Sequence, residues 1–145
     1  MLKKIFKKEE GFTLAELLIV VAIIAVLVAV SIPIFTSQLE KSRESTDIAN
    51  MRAAKAAAVT AYLGEEKIGE KQLGSAQTAS QTLYYDAQAG VLKDKADGIK
   101  AYGKGTTSPG DTTKTDFGYD PAKAAADYVT VVIDPAGNVT MTFNK

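Results

Sequence analysis

The feature that most constrains this chain is an apolar run near its start. From Phe12 to Phe35 only Thr13, Glu16 and Ser31 are polar, and Leu17 to Val30 is Ile, Leu, Val and Ala without interruption. As a helix, residues 12–35 reach about 36 Å at roughly 1.5 Å per residue, enough to cross a bilayer core of about 30 Å. Four lysines precede the run (Lys3, Lys4, Lys7 and Lys8), offset by Glu9 and Glu10. Positive charge flanking a span keeps that end in the cytoplasm, so the remainder of the chain is expected on the far side of the membrane.

Beyond Pro33 the composition changes while the helical signal continues. Residues 37–63 are rich in Ala, Glu, Lys and Arg, all good helix formers. Leu39, Ile48, Met51, Ala54, Ala58 and Tyr62 recur at close to helical spacing, with Val59 beside them, and make one apolar stripe. The charged band of Glu40, Lys41, Arg43, Glu44, Asp47, Arg52 and Lys55 reads as a solvated helix face or as a source of ion pairs between subunits. Gly64 is the expected stop. From there the chain is rich in Gly, Thr and Asp. Thr82–Tyr85, Gly90–Lys93 and Ile99–Tyr102 are strand candidates, and residues 103–116 read as an exposed loop. The strongest β signal is Tyr128–Ile133 and Val139–Phe143 joined by Asp134-Pro-Ala-Gly-Asn138, a hairpin with alternating apolar faces. The predicted class is α+β: a long N-terminal α-helix with its apolar half protruding and its amphipathic half packed on a small antiparallel β-sheet. The expected divisions are a leader over 1–11, a transmembrane helix over 12–36, an amphipathic helix over 37–63, and loop plus sheet over 64–145.

Several function classes are excluded by residues the chain lacks. It has no Cys, His or Trp, which removes disulfides, thiol chemistry, imidazole bases and the common zinc ligand sets. An outer domain is therefore expected to be held by packing alone. Basic and acidic residues number 17 each, so a cationic nucleic-acid groove is not expected. No phosphate-binding loop, dinucleotide turn or nucleophile elbow is present, and the reading is of a protein that is not an enzyme and takes no cofactor and no metal. Asp94, Asp97, Asp111, Asp116 and Asp120 match no EF-hand spacing. Asn138-Val-Thr140 fits a glycosylation sequon on a tight hairpin. Tyr84, Tyr85, Tyr102, Tyr119 and Tyr128 read as domain core and surface.

The decisive stretch is Gly11-Phe-Thr-Leu-Ala-Glu16-Leu-Leu-Ile, with lysines before it and the apolar run behind. A common secretory signal places its small-residue cleavage site after the apolar core. Here the Gly precedes the core, so a cut at Gly11 would remove the charged leader and leave the helix attached. The stretch closely resembles the class III signal of type IV prepilins and related pseudopilins. The resemblance implies cleavage after Gly11 by a membrane peptidase and N-methylation of Phe12. Loss of four lysines and two glutamates would leave 13 basic and 15 acidic residues. An acidic side chain in a membrane helix costs roughly 2.5–3.5 kcal/mol without a partner. The resemblance implies that Glu16 pairs with the Phe12 amine of an adjacent subunit and sets axial register, with Thr13 in support. It also places Pro33 where such helices kink or locally melt, although this chain has no glycine from Phe12 to Leu63. Pro33 removes the helix partner of the Ala29 carbonyl, with Ser31, Thr36 and Ser37 near enough to help satisfy freed groups.

The lack of Cys suits a Gram-positive relative, and Tyr84-Tyr85-Asp86 and Lys100-Ala-Tyr-Gly-Lys104 look like clostridial major pilins. The implied protein is a pilus (fimbrium) subunit. It would be held in the cytoplasmic membrane as a precursor, served by prepilin peptidase and pilus assembly machinery, and polymerised with itself into an extracellular filament. Cell adhesion or twitching motility would follow from the filament. A second reading is a pseudopilin of a type II secretion or DNA-uptake machine. A third is a signal-anchored or signal-cleaved binding domain with its cut near Ser31, disfavoured by Pro33 just behind that site and by Glu16 ahead of the apolar core. A sortase-linked pilin is disfavoured by the absence of a Leu-Pro-x-Thr-Gly signal.

Overall fold

The computed structural model describes residues 11–106, 108, 110–121 and 128–143. Residues 1–10 of the predicted leader, Thr107 and Pro109 of the predicted loop, and Asp127 ahead of the hairpin lie outside the described residues. The fold is α+β, one long helix followed by small antiparallel sheets. Helix α1 runs Leu14–Leu63 without a break in its helical assignment at Pro33. Two compact units divide between Thr36 and Ser37.

In the first unit nothing among the described residues covers the helix. All 16 large apolar side chains from Phe12 to Phe35 other than Pro33 are exposed, the most sheltered being Val28 at 46%. Ser31 donates to the Leu27 carbonyl at 2.7 Å and Thr36 to the Ile32 carbonyl at 2.9 Å. Both hydroxyls therefore serve carbonyls of their own preceding turn and not that of Ala29.

The second unit is built where the same helix becomes one-sided. Ile48, Met51, Ala54, Ala58 and Ala61 are buried, at spacings of three and four residues that return to one face. Three alanines on that face add little bulk between helix and sheet. Against them lies a four-stranded antiparallel sheet in the order β4-β3-β5-β6, with β3 Gln81–Asp86, β4 Val91–Lys93, β5 Val129–Ile133 and β6 Val139–Phe143. Period-two alternation puts Leu83, Val131 and Met141 in one buried cross-strand row. Tyr85 opposite Leu92 extends the core towards β4. A two-residue ribbon, β1 Lys67–Ile68 with β2 Lys71–Gln72, follows the helix. It is too short to leave an alternating pattern in the sequence.

The hairpin forms as the sequence requires. Asp134 Oδ1 accepts the N–H groups of Ala136 and Asn138 at 2.9 and 2.8 Å, and Gly137 supplies a φ of 87°. The Asn138 amide donates to Asp134 Oδ2 at 2.7 Å. The tip is fastened to the end of the helix by the Tyr62 hydroxyl, which donates to the Pro135 carbonyl at 2.9 Å.

Five expectations are corrected. Ile99–Tyr102 is not a strand. Instead the half-buried Tyr102 donates its hydroxyl to the Tyr85 carbonyl and accepts the Val129 N–H, each at 2.8 Å, and burial pushes that phenol up to about 12. The apolar stripe begins at Ile48, since Leu39 is 38% exposed. Ahead of it, the charged band is not wholly a solvated face: Glu40, Glu44 and Asp47 are buried.

These carboxylates bind the segment that was expected to be an exposed loop. Lys104 reaches Glu44 Oε1 at 3.0 Å, and both side chains are fully buried. Its ammonium also donates to the carbonyls of Ser108 at 3.0 Å and Pro121 at 2.8 Å. Gly110 and Asp111 donate their N–H groups to the two Glu44 oxygens at 2.7 and 2.8 Å. Burial opposes ionisation of Glu44, yet the Gly110 N–H, the Lys104 ammonium and the Asp111 N–H together hold it below the usual value. Thr106 donates to Glu40 at 2.5 Å, and Asp47 accepts the Lys104 N–H at 3.2 Å and the Tyr119 hydroxyl at 3.1 Å. The second unit is thus held by packing and by a buried ion pair across 60 residues of sequence, where packing alone was expected.

Candidate functional site

At the start of α1, Thr13 and Glu16 are three residues apart, the spacing of a capping box. The first N–H groups of any helix lack intrahelical partners, and a hydroxyl at the N-cap accepts one of them. Here Glu16 N–H donates to Thr13 Oγ1 at 3.2 Å, while Thr13 N–H and Oγ1 donate to Glu16 Oε2 at 2.7 and 2.8 Å. Both Thr13 bonds fall on the same carboxylate oxygen, so Glu16 Oε1 accepts none of them. The box starts the helix at Leu14 and leaves Gly11, Phe12 and Thr13 in non-helical backbone. Phe12 is 91% exposed, and a Cβ added at Gly11 would meet nothing within 4 Å. The Gly11–Phe12 peptide bond therefore lies just outside the helix with free space beside it.

The structure joins Thr13 to Glu16 by hydrogen bonds and places Gly11 and Phe12 in the exposed residues just before them. Pro33 lies five turns further along, inside the continuous helix. Among the described residues no group of three acidic or other metal-ligating side chains is placed to hold a metal ion. The five aspartates considered for calcium are not gathered: Asp111 Oδ1 is taken by Thr113 and lowered by its hydroxyl and N–H. The tyrosines are structural. Tyr85, Tyr102, Phe143 and Tyr119 meet edge to face in sequence, with centroids 6.0–6.5 Å apart, and Tyr84 meets Tyr128 at 5.6 Å.

Residues 6–32 match the model of the prokaryotic N-terminal methylation motif. The chain carries the prokaryotic N-terminal methylation motif. The match spans Gly11, Phe12, Thr13 and Glu16 and ends one residue before Pro33. Over 78 residues the chain is 36% identical to a fimbrial protein of Pseudomonas aeruginosa, covering 54% of this chain and 47% of that protein. It is also 36% identical over 83 residues to the type IV major fimbrial protein FimA of Dichelobacter nodosus, covering 57% and 52%. The chain thus spans about half the length of the curated relatives it matches. No solved structure matches it.

Reasoning from sequence missed the buried set of Glu40, Glu44, Asp47 and Lys104. The signal available was the spacing of the acids by four and three residues on one helix face, continuous with Met51 and Ala54. Nothing local pointed to Lys104 as their partner.

Proposed function

We propose that this chain is the structural subunit of a type IV pilus. It is inserted in the cytoplasmic membrane as a prepilin, cut after Gly11, N-methylated at Phe12, and polymerised with other copies through its N-terminal helix into a surface filament. The single observation that carries the reading is the pilin signal placed directly ahead of a helix with no buried residue before Glu40. Fully burying a Leu, Ile, Val or Phe side chain is worth about 1.5–3 kcal/mol, so 16 such exposed side chains amount to tens of kcal/mol. Lipid meets that requirement before assembly, and helices of other copies meet it afterwards. Because the contact joins different faces of successive copies, it continues as an open helical array.

The geometry at the helix start supports two steps. The Gly11–Phe12 bond stands outside the helix, where a peptidase can bind it as extended chain. Glu16 uses Oε2 for its own cap, leaving Oε1 to accept the Phe12 amine of a neighbour and set the axial register. Pro33 is the place where the helix adjusts as copies pack, by bending or by local opening. Adhesion and twitching motility belong to the filament.

The test is to shear surface material from producing cells and look for filaments containing this chain, beside cells carrying Glu16→Ala. We expect abundant filaments from the unaltered chain. The variant should give membrane-bound, leader-cleaved protein with few filaments. A chain that stays with the membrane and never enters sheared filaments belongs to a secretion or DNA-uptake machine instead, and normal filament yield from Glu16→Ala removes the register role.

A further inference from the structure

Of the segment from Gly103 to Lys114, the described residues lie along the N-terminal turns of the domain part of α1, and polar bonds from Lys104, Thr106, Gly110, Asp111 and Lys114 fasten them there. Its backbone touches the helix closely: a Cβ on Gly110 would stand 2.5 Å from the Lys41 nitrogen and 2.7 Å from the Glu40 carbonyl carbon. Lys114 adds bonds to the Lys41 carbonyl at 3.2 Å and the Ser45 hydroxyl at 2.5 Å. The other attachments end on Glu40, Glu44 and Asp47. Of these three buried carboxylates Glu44 pairs with the fully buried Lys104 ammonium, while Glu40 pairs at 3.0 Å with Arg43, whose side chain is 42% exposed.

We propose that this segment is a proton-controlled strap, closed most tightly when Asp47 carries a proton and loosened as Asp47 ionises. The charge balance selects Asp47. Glu44 holds the lysine ammonium and two backbone N–H groups, and Glu40 has Arg43 and Thr106. Among the described residues, the donors to Asp47 are neutral, the Tyr119 hydroxyl and the Lys104 N–H. The charged and titratable groups around it are Glu40, Arg43 and Glu44 on its own helix, Tyr102 and Lys104 from the strap side, and Tyr119 behind it. Burial, the largest influence, raises its carboxyl to about 6 from 3.8 in spite of those two donors and the Lys104 charge.

A carboxyl raised by folding binds its proton more tightly in the closed state than in the open one. Closure is therefore favoured below the ordinary value and loses that advantage as pH rises through the raised one. If opening returns Asp47 to 3.8, the open fraction grows roughly tenfold between pH 5 and pH 8. Glu44, held below its usual value, stays ionised throughout that range. The consequence is a subunit surface around Gly103–Lys114 that is firmer in mildly acidic surroundings than in alkaline ones.

The experiment is hydrogen exchange at the Lys104, Gly110 and Asp111 amides of the detergent-solubilised full chain, corrected for the intrinsic pH dependence of exchange. In the unaltered protein the opening equilibrium should rise about tenfold from pH 5 to pH 8. In Asp47→Asn, which fixes the neutral form, the same three amides should show no such rise. Exposed Asp97→Asn should keep it. A flat response in the unaltered chain overturns the proposal without recourse to any variant. An undiminished rise in Asp47→Asn, with tyrosine near-ultraviolet dichroism showing a folded domain, overturns it as well.

Discussion

Replacing Lys104 by Met tests the buried ion pair most severely. The substitution keeps an unbranched side chain of similar length, so little volume is lost, but the ammonium disappears from three acceptors. Glu44 stays behind with no exposed surface, keeping two backbone N–H donors and no counter-charge. The carbonyls of Ser108 and Pro121 lose a donor as well. Removing one partner of a buried pair costs about 3–5 kcal/mol, chiefly through the charge left alone. A small domain has about 5–15 kcal/mol in all, and at about 4 °C per kcal/mol for a domain of this size the midpoint should fall by about 12–20 °C. The assay is thermal melting at pH 7 of the full chain in detergent, followed in the near ultraviolet. The six tyrosines report on the outer domain there, whereas the helical signal is dominated by a segment that the micelle protects. Adding Glu44→Gln to Lys104→Met removes the orphaned charge and should return on the order of 1–2 kcal/mol. A Lys104→Met midpoint within about 3 °C of the unaltered protein would refute the reasoning, as would a double variant less stable than the single one.

Gly110→Ala should destabilise the outer domain by about 1–3 kcal/mol. Its new methyl meets helix backbone and not a side chain that could swing away, and loss of protection at the Asp111 amide is the accompanying readout. The stability of the outer domain carries a matching pH signature. Folding raises Asp47 to about 6, so its contribution is full below about pH 4 and declines as pH rises through 6, by about 1.4 kcal/mol between pH 5 and pH 8. The carboxyls held low, among them Glu44 and Asp134, lose their contribution at more acidic pH and do not obscure that window. Melting midpoints of Asp47→Asn should not decline over it, and an equal decline in both proteins would contradict the assignment.

Much of this architecture is legible in the chain because its signals are local. The span from Leu17 to Val30 needs only composition and length. The hairpin needs Asp134, Gly137 and the alternation on either side, whereas the helix, expected from residue 12, starts at Leu14 because Thr13 and Glu16 cap it. The core face of Ile48, Met51, Ala54 and Ala58 follows from helical periodicity. What escaped depends on distant partners. Glu40, Glu44 and Asp47 look like a solvated face because charged residues are usually exposed, and the partners that make their burial tolerable are distant ones, Lys104 lying 60 residues beyond Glu44. Ile99–Tyr102 has the residue types of a strand, yet the Tyr102 hydroxyl bridges the Tyr85 carbonyl and the Val129 N–H where a further strand was expected. Pro33 shows the opposite balance: a residue that breaks helices in isolation sits in a helix whose remaining turns continue through it.

The central claim is that the apolar helix is freed from its leader at Gly11 and then carried into a filament. The most direct measurement is the intact mass and N-terminal sequence of the chain recovered from sheared filaments. The account predicts a single form starting at Phe12 and carrying one added methyl group on its amine. A chain that retains its leader, or one that begins at Ile32 with the apolar helix removed, would contradict it.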